Sequence, residues 1–517
     1  QALAPVLDLH ALELLRRRAA RVNMKRLSLV ALAASLASVQ SEGLDIDAVN
    51  PKIVEAQYAV RGFILDRARE IEADLAQESH DWPFDEIVRC NIGNPQALGQ
   101  APPKFAREVL SNVVLPKTPR WGVSKQVRER ADAYRAAIQG GVGAYSESQG
   151  ITLIRKEVAK FISDRDGIAA DPEAIFLTDG ASAGVRHLTQ LLVSGPQDGV
   201  LAPAPQYPLY SAMATMYDGT LGSYYLDESA DWAAPVAEIA KAYDDVVARG
   251  ATPKMLVIIN PGNPTGASLP REALEAIVEF VASKPGLVLM ADEVYQENVY
   301  GDAPAFISFK KVVHDLKSTI PVVSFHSVSK GFTGECGLRG GYFELTNVSE
   351  EVKEQLIKLA SVSLCSNVLG QIAVGLMVNP PVDGRELKAY EDEKAAKLSS
   401  LERRANEVAR ALDALDGVSC VQPQGAMYLF PSITLPDAAL AAAGAAGLAP
   451  DAFYALKLLE STGLVVVPGS GFGQKNGTWH FRTTFLPPED QITAVTKRLA
   501  GFHDAFLASF KAPAGEL

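Results

Sequence analysis

The residues most able to do chemistry lie in Ser327-Val328-Ser329-Lys330-Gly331, directly after an apolar stretch, with Arg339 following in Gly334-Glu335-Cys336-Gly337-Leu338-Arg339-Gly340-Gly341. A lysine amine held among small hydroxyl residues can form a Schiff base with an aldehyde. The hydroxyls and the guanidinium can hold a phosphate beside it. Three further motifs upstream strengthen this reading, each placed after an apolar run.

The first is Thr178-Asp179-Gly180-Ala181-Ser182, before a helix-like segment. Backbone N–H groups at a helix start bind phosphate, and Ser182 adds a hydroxyl. The second is Asn260-Pro261-Gly262-Asn263-Pro264-Thr265-Gly266. Its composition suits a turn, yet Asn263 could aim a side-chain amide at a ligand oxygen. The third is Asp292-Glu293-Val294-Tyr295. A carboxylate between apolar walls stays ionised only beside a cation. A protonated pyridine nitrogen would supply one, and the Tyr295 phenol could reach a ring oxygen. An acidic helix start accounts equally for Asp292 and Glu293 taken alone. Tyr207, in Pro205-Gln206-Tyr207-Pro208, could stack on a flat ring or simply pack a loop. Arg482, in His480-Phe481-Arg482-Thr483, suits two-point capture of a carboxylate.

These motifs need elements to hold them. Short, nearly continuous apolar runs at Ala174–Thr178, Gly199–Ala202, Met255–Asn260, Leu287–Ala291 and Val322–Phe325 read as strands buried on both faces. Helix-like stretches such as Arg271–Ser283 alternate with them, so an α/β domain with a mostly parallel sheet is expected. Ligands in such sheets bind beyond the carboxyl ends of the strands, where the motifs fall. Pro51–Glu72 reads as one helix, with Ile53, Val54, Val60, Phe63 and Ile64 at helical spacing. After Glu350 a long charged helix over Leu387–Leu415 leads to short strands near Met427–Phe430, Leu464–Val467 and Trp479–Arg482, which predicts a smaller α+β domain. The expected division is an N-terminal extension at 1–43, an arm and part of the small domain at 44–100, a large domain at 101–376 and a C-terminal small domain at 377–517.

Bulk properties narrow the function. A chain of 517 residues is too long for one small core. The net charge of -12 argues against a nucleic-acid partner. Cys90, Cys336, Cys365 and Cys420 are widely spaced, and seven scattered histidines form no metal-ligand pattern, so neither a disulfide framework nor a metal site is expected. Val465-Val466-Val467-Pro468-Gly469-Ser470-Gly471-Phe472-Gly473-Gln474 has its third glycine one place early for a dinucleotide loop. From Leu14 to Ser41 the chain has no acidic residue but carries Arg16, Arg17, Arg18, Arg21, Lys25 and Arg26. That composition suits a mitochondrial transit segment, with a cytoplasmic or other organellar location as the alternative. The apolar run Leu27–Val39 is too short to span a bilayer.

Taken in order, these motifs resemble the class I, fold-type I aminotransferases that depend on pyridoxal 5'-phosphate. The resemblance runs from about Gly43 to near Phe510 and within the family looks like the alanine aminotransferases. Its most specific stretches are Asn91-Ile92-Gly93-Asn94-Pro95-Gln96, Gly143-Ala144-Tyr145-Ser146-Glu147-Ser148-Gln149-Gly150 and Ser329 to Gly341. The spacing from Lys330 to Arg339, one residue longer than in many class I relatives, marks that branch. The resemblance implies that Lys330 holds the cofactor covalently and moves the substrate's α-proton. It implies that Asp292 pairs with the ring nitrogen, that Tyr295 and Asn263 bind the ring oxygen, and that Tyr207 stacks on the ring. Ala181, Ser182, Ser327, Ser329 and Arg339 would surround the phosphate. Tyr145 would reach the phosphate of a neighbouring subunit, which implies a homodimer with shared sites. Arg482 would take the substrate α-carboxylate, with Gly93 and Asn263 lining the same pocket. The implied activity is transfer of an amino group between L-alanine and 2-oxoglutarate. Glutamate:glyoxylate transamination is the nearest rival, and a lyase on the same scaffold the next. Peroxisomal members of the first rival would be expected to end in a Ser-Lys-Leu-like tripeptide, whereas this sequence ends Ala514-Gly515-Glu516-Leu517. A non-enzymatic regulator would need a DNA-binding module, for which the N-terminal segment offers no helix-turn-helix pattern.

Overall fold

The computed structural model describes residues 44–58, 62–77, 79–115 and 122–510. The expected N-terminal extension therefore lies outside the described residues. The chain divides into two compact units, Gln1–Val54 and Glu55–Leu517. In the first, a short turn of helix spans Ile46–Ala48 and a helix begins at Pro51. The single helix expected over Pro51–Glu72 is instead two, Pro51–Glu55 and Phe63–Leu75. Gly62 precedes the second in an extended conformation, which no continuous helix accommodates. The expected Val60 position lies outside the described residues.

The second unit is built on a seven-stranded sheet. Its strands are β1 (Ile175–Asp179), β2 (Asp198–Ala204), β3 (Thr220–Tyr225), β4 (Thr252–Ile259), β5 (Val288–Asp292), β6 (Val322–Ser327) and β7 (Gly340–Thr346). They lie in the order β1-β7-β6-β5-β4-β2-β3. Pairings from β6 through β5, β4 and β2 to β3 are parallel, while β7 runs antiparallel to both β1 and β6. The five expected strands are all present, with ends shifted by a few residues. Strands β3 and β7 are additions that their sequences disguise.

Alternation along the central strands assigns their two faces. Leu256, Ile258, Leu289, Ala291 and Val322 belong to one apolar cluster, under helices Val236–Ala248, Arg271–Ala282 and Phe309–Asp315. Met255, Val257, Met290, Val323 and Phe325 belong to another, with helices Ala181–Leu192, Leu209–Met216 and Glu350–Val362. Successive side chains of a strand point to opposite faces, so the sheet is covered on both sides.

A separate cluster joins helix Phe63–Leu75 to helices Gly384–Asp413, Pro450–Thr462 and Ile492–Phe510. Strand Val88–Arg89 pairs with Leu464–Val465 in the same layer. There Phe481–Thr484 lies between Tyr428–Leu429 and Val467–Pro468 in a small antiparallel sheet. These elements make a smaller α+β layer, to which Phe63–Leu75 adds a helix and Val88–Arg89 a strand. No single helix among the described residues is long and apolar enough to cross a membrane.

Candidate active site

Four sheet strands deliver polar residues to one edge. Strand β5 ends at Asp292, β6 ends at Ser327 with Lys330 just beyond, and β4 runs into the Asn260–Gly266 turn. Strand β1 ends at Asp179, and the helix starting at Ala181 follows after Gly180 alone. The small antiparallel sheet supplies Arg482 and Tyr428 from the other side. Between them is a cavity of about 350 Å³. Ala181, Ser182, Ser327, Ser329, Lys330 and Arg339 line it, as do Gly93, Tyr207, Asn263, Asp292, Tyr295 and Arg482. Of the residues singled out from sequence, Tyr145 alone is not on this wall; it is 77% exposed.

Asp292 is buried, and its Oδ2 accepts a 2.7 Å hydrogen bond from the Tyr210 hydroxyl. Its Oδ1 has no hydrogen-bond partner among the described residues, and the same holds for Tyr295 Oη and Ser329 Oγ. Burial pushes the Asp292 carboxyl up from its usual range, against the pull of the Tyr210 hydroxyl, the Val294 N–H and Lys330. Burial and the neighbouring Tyr428 phenol raise Tyr295 well above the ordinary phenol value. Tyr428 is pulled the other way: Lys330 and Arg482 outweigh its burial and lower it. Burial would lower the Lys330 ammonium, but Tyr428, Cys336 and Tyr207 outweigh it, and the net direction is up.

Backbone close approach shapes the floor. The Gly93 N–H donates to Tyr428 Oη at 3.1 Å. A Cβ built on Gly93 would stand 2.3 Å from that oxygen and 3.4 Å from Lys330 Nζ, so only glycine fits. At the far end Gly180 adopts φ 76° and ψ 163°. A Cβ there would lie 2.3 Å from Arg339 Nη2. The Arg339 guanidinium donates to the Asp179 carbonyl oxygen at 3.2 Å, to Ser182 Oγ at 3.4 Å and to the Cys336 carbonyl oxygen at 3.0 Å. Arginine, serine and helix N–H groups thus converge on one small volume, an arrangement suited to a dianionic phosphate.

Arg482 is 1% exposed. Its Nη1 donates to Asn263 Oδ1 at 3.1 Å and its Nη2 to the Asn91 carbonyl oxygen. Its Nε has no partner among the described residues. The guanidinium lies 4.1 Å from the Tyr428 ring centroid and 4.8 Å from that of Phe472. None of these neighbours is a carboxylate, so a buried cation faces the cavity with capacity to bind one.

Three contributors were not read from sequence. Tyr210 lies three residues after Tyr207, a spacing that could have flagged it. Tyr428 falls in the expected strand Met427–Phe430, but nothing local tied it to Gly93. Tyr58 lines the cavity, and its hydroxyl shares a 2.6 Å hydrogen bond with that of Tyr207.

Comparison with known proteins agrees with this geometry. Residues 112–499 match the family described as aminotransferase class I and II. The chain is 49% identical to alanine aminotransferase 1, mitochondrial, of Arabidopsis thaliana over 92% of this chain and 89% of that one. It is 45% identical to glutamate–glyoxylate aminotransferase 1 of the same plant, over 91% of this chain and 98% of that one. Among solved structures, alanine aminotransferase from Pyrococcus furiosus superposes with a TM-score of 0.70 at 25% identity, covering 88% of this chain and all of that one. With a match that takes in most of its length, the chain belongs to the class I and II aminotransferases.

Proposed function

We propose that this chain transfers the amino group of L-alanine to 2-oxoglutarate, reversibly and by a ping-pong cycle. The observation that carries the chemistry is the set of buried, unpaired atoms around Lys330. Asp292 Oδ1, Tyr295 Oη and Ser329 Oγ lack hydrogen-bond partners among the described residues, although buried polar groups normally have them. Their types fit pyridoxal 5'-phosphate, the cofactor of this enzyme: a carboxylate for the ring nitrogen, a phenol for the ring oxygen and a hydroxyl for the phosphate. When bound, the protonated pyridine ring draws electrons from the substrate α-carbon and makes its proton removable.

The chain's own groups do the rest. Asp292 would hold a proton on the ring nitrogen, and the Tyr210 hydroxyl, donating to its Oδ2, favours the ionised carboxylate and fixes it. Ser182, Ser327, Ser329, Ala181 and Arg339 would anchor the phosphate, while Tyr207 and Asn263 would hold the ring. Arg482 binds the substrate α-carboxylate against Asn263 and Gly93. Lys330 would hold the cofactor through its Nζ, and the same amine is placed to carry the substrate's α-proton as a base.

The choice of alanine rests on the 49% identical relative named for it. The mitochondrial name of that relative, with the basic acid-free segment Leu14–Ser41, supports a mitochondrial location. We read the working form as a homodimer: Tyr145 is exposed and lies near Ser148, whose hydroxyl donates to the carbonyl of half-exposed Leu364. In the second copy's presence, Tyr145 would reach the neighbouring site.

Half-reactions test the proposal. The absorbance of the bound cofactor is followed after adding alanine, glutamate, glycine or aspartate separately. Alanine and glutamate should convert it and release pyruvate and 2-oxoglutarate. Glyoxylate reversing the change better than pyruvate would instead favour the glutamate–glyoxylate reading, which the 45% identical relative represents. Lys330→Ala should lose at least about 10³-fold in turnover and hold the cofactor without a covalent bond. Near-native turnover by that variant would sink the assignment.

A further inference from the structure

The proposed reaction asks one pocket to accept two side chains, the methyl of alanine and the propionate of glutamate. The wall of the cavity carries three cations, Lys330, Arg339 and Arg482. Each has a task already: the amine, the phosphate and the α-carboxylate. No fourth cation of this chain lines the cavity among the described residues. A fourth would be harmful. With alanine bound, a buried cation at the side-chain end would stand unpaired, at high desolvation cost. A neutral donor avoids that penalty and can still bond a carboxylate when one arrives.

The remaining hydroxyls narrow the choice. Tyr428 Oη accepts from the Gly93 N–H beside Lys330, and Asn263 Oδ1 accepts from Arg482, so both lie at the amine and α-carboxylate end, while Tyr295 is assigned to the ring oxygen. The Ser182, Ser327 and Ser329 hydroxyls lie with Arg339 at the phosphate end. Tyr58 and Tyr207 differ from these. Their hydroxyls bond to each other at 2.6 Å, with the rings edge to face at 6.3 Å between centroids. Two hydroxyls carry two hydrogens, and the shared bond uses one, so the pair retains one free O–H donor. Both residues are half-buried and line the cavity.

Resting on the proposed alanine:2-oxoglutarate activity, we infer that the Tyr58–Tyr207 hydroxyl pair docks the side-chain carboxylate of a five-carbon dicarboxylic substrate, with Tyr58 as the specificity-determining residue. The pair donates its free hydrogen to that carboxylate and leaves a methyl group undisturbed. Substrate selection then rests on a neutral hydrogen bond that either substrate tolerates.

The test uses the cofactor-loaded enzyme, wild type and Tyr58→Phe, with two unreactive ligands. Glutarate carries both carboxylates, while propionate matches the alanine skeleton. Dissociation constants are measured by calorimetry, and cofactor retention is checked by absorbance. Tyr58→Phe should weaken glutarate about tenfold and leave propionate within about twofold, the loss expected for one hydrogen bond to a charged group. In steady state, KM for glutamate should rise while KM for alanine holds. Equal weakening of both ligands would overturn the inference and make Tyr58 a support for Tyr207 alone. Unchanged glutarate affinity would also overturn it. A wild-type enzyme whose cofactor glutamate does not convert would remove the proposed function itself, an outcome distinct from both.

Discussion

At the scale of residues, Asp292 has the most demanding task, because a carboxylate with almost no exposure must remain ionised. Tyr210 opposes burial with a 2.7 Å hydrogen bond that only the charged form fully uses. Tyr210→Phe removes that donor, so the Asp292 carboxyl should titrate at a higher pH. The acid limb of the pH–rate profile should therefore move upward, with turnover at neutral pH falling about tenfold and KM for alanine little changed. An unmoved acid limb would show that Tyr210 only packs. Asp292, Asn263 and Lys330 were legible in the sequence because each sits in a short motif at the end of an apolar run. Tyr428 was not, because its partner Gly93 is 335 positions away. Tyr58 and Tyr207 meet across 149 positions, which no local spacing encodes.

At the scale of elements, the turn from β1 into the helix Ala181–Leu192 does the finest positioning. Gly180 holds φ 76° and ψ 163°, a region nearly closed to other residues, and its missing side chain leaves room for Arg339. Gly180→Ala should cost about 1–3 kcal/mol from backbone strain and displace the guanidinium from the phosphate cup. Cofactor retained through gel filtration, quantified by absorbance, should drop well below wild type; full retention at wild-type thermal stability would contradict this account. The two unexpected strands show where element-level reading stops. Strand β3 is an edge strand with Gly222 and Ser223 inside it, and its burial alternates only weakly. Strand β7 opens with two glycines and carries Glu344, a residue that normally argues against a buried strand. Lys310, from a helix, pairs with that carboxylate and makes its burial tolerable, a compensation visible only in three dimensions. The helix expected over Pro51–Glu72 failed for the opposite reason: its spacing was regular, but the chain leaves the helix after Glu55 and re-enters one only after extended Gly62.

At the scale of the whole molecule, one buried acid sets a pH dependence of stability. Glu293 is 2% exposed, and burial pushes its carboxyl up to about 7 despite the pull of Arg165. In the unfolded chain it titrates near the ordinary value of about 4.3. The folded state therefore binds more protons between those values, and stability falls as pH rises through that window. Glu293→Gln keeps the shape and removes the titration. The wild-type melting temperature should decline from pH 5 to pH 7.5 relative to that of the variant, and parallel profiles would refute the assignment. The strand order carries a consequence for the chain during its own synthesis. Strand β1 has one neighbour in the sheet, and that neighbour is β7, the last strand to be made. As the polypeptide leaves the ribosome, β1 has no native sheet partner until β7 has been made. Arg339 and Gly340 arrive together with the strand that ends this wait. The phosphate cup and the seventh strand of the sheet are thus encoded side by side, and a nascent chain stopped before Arg339 can complete neither.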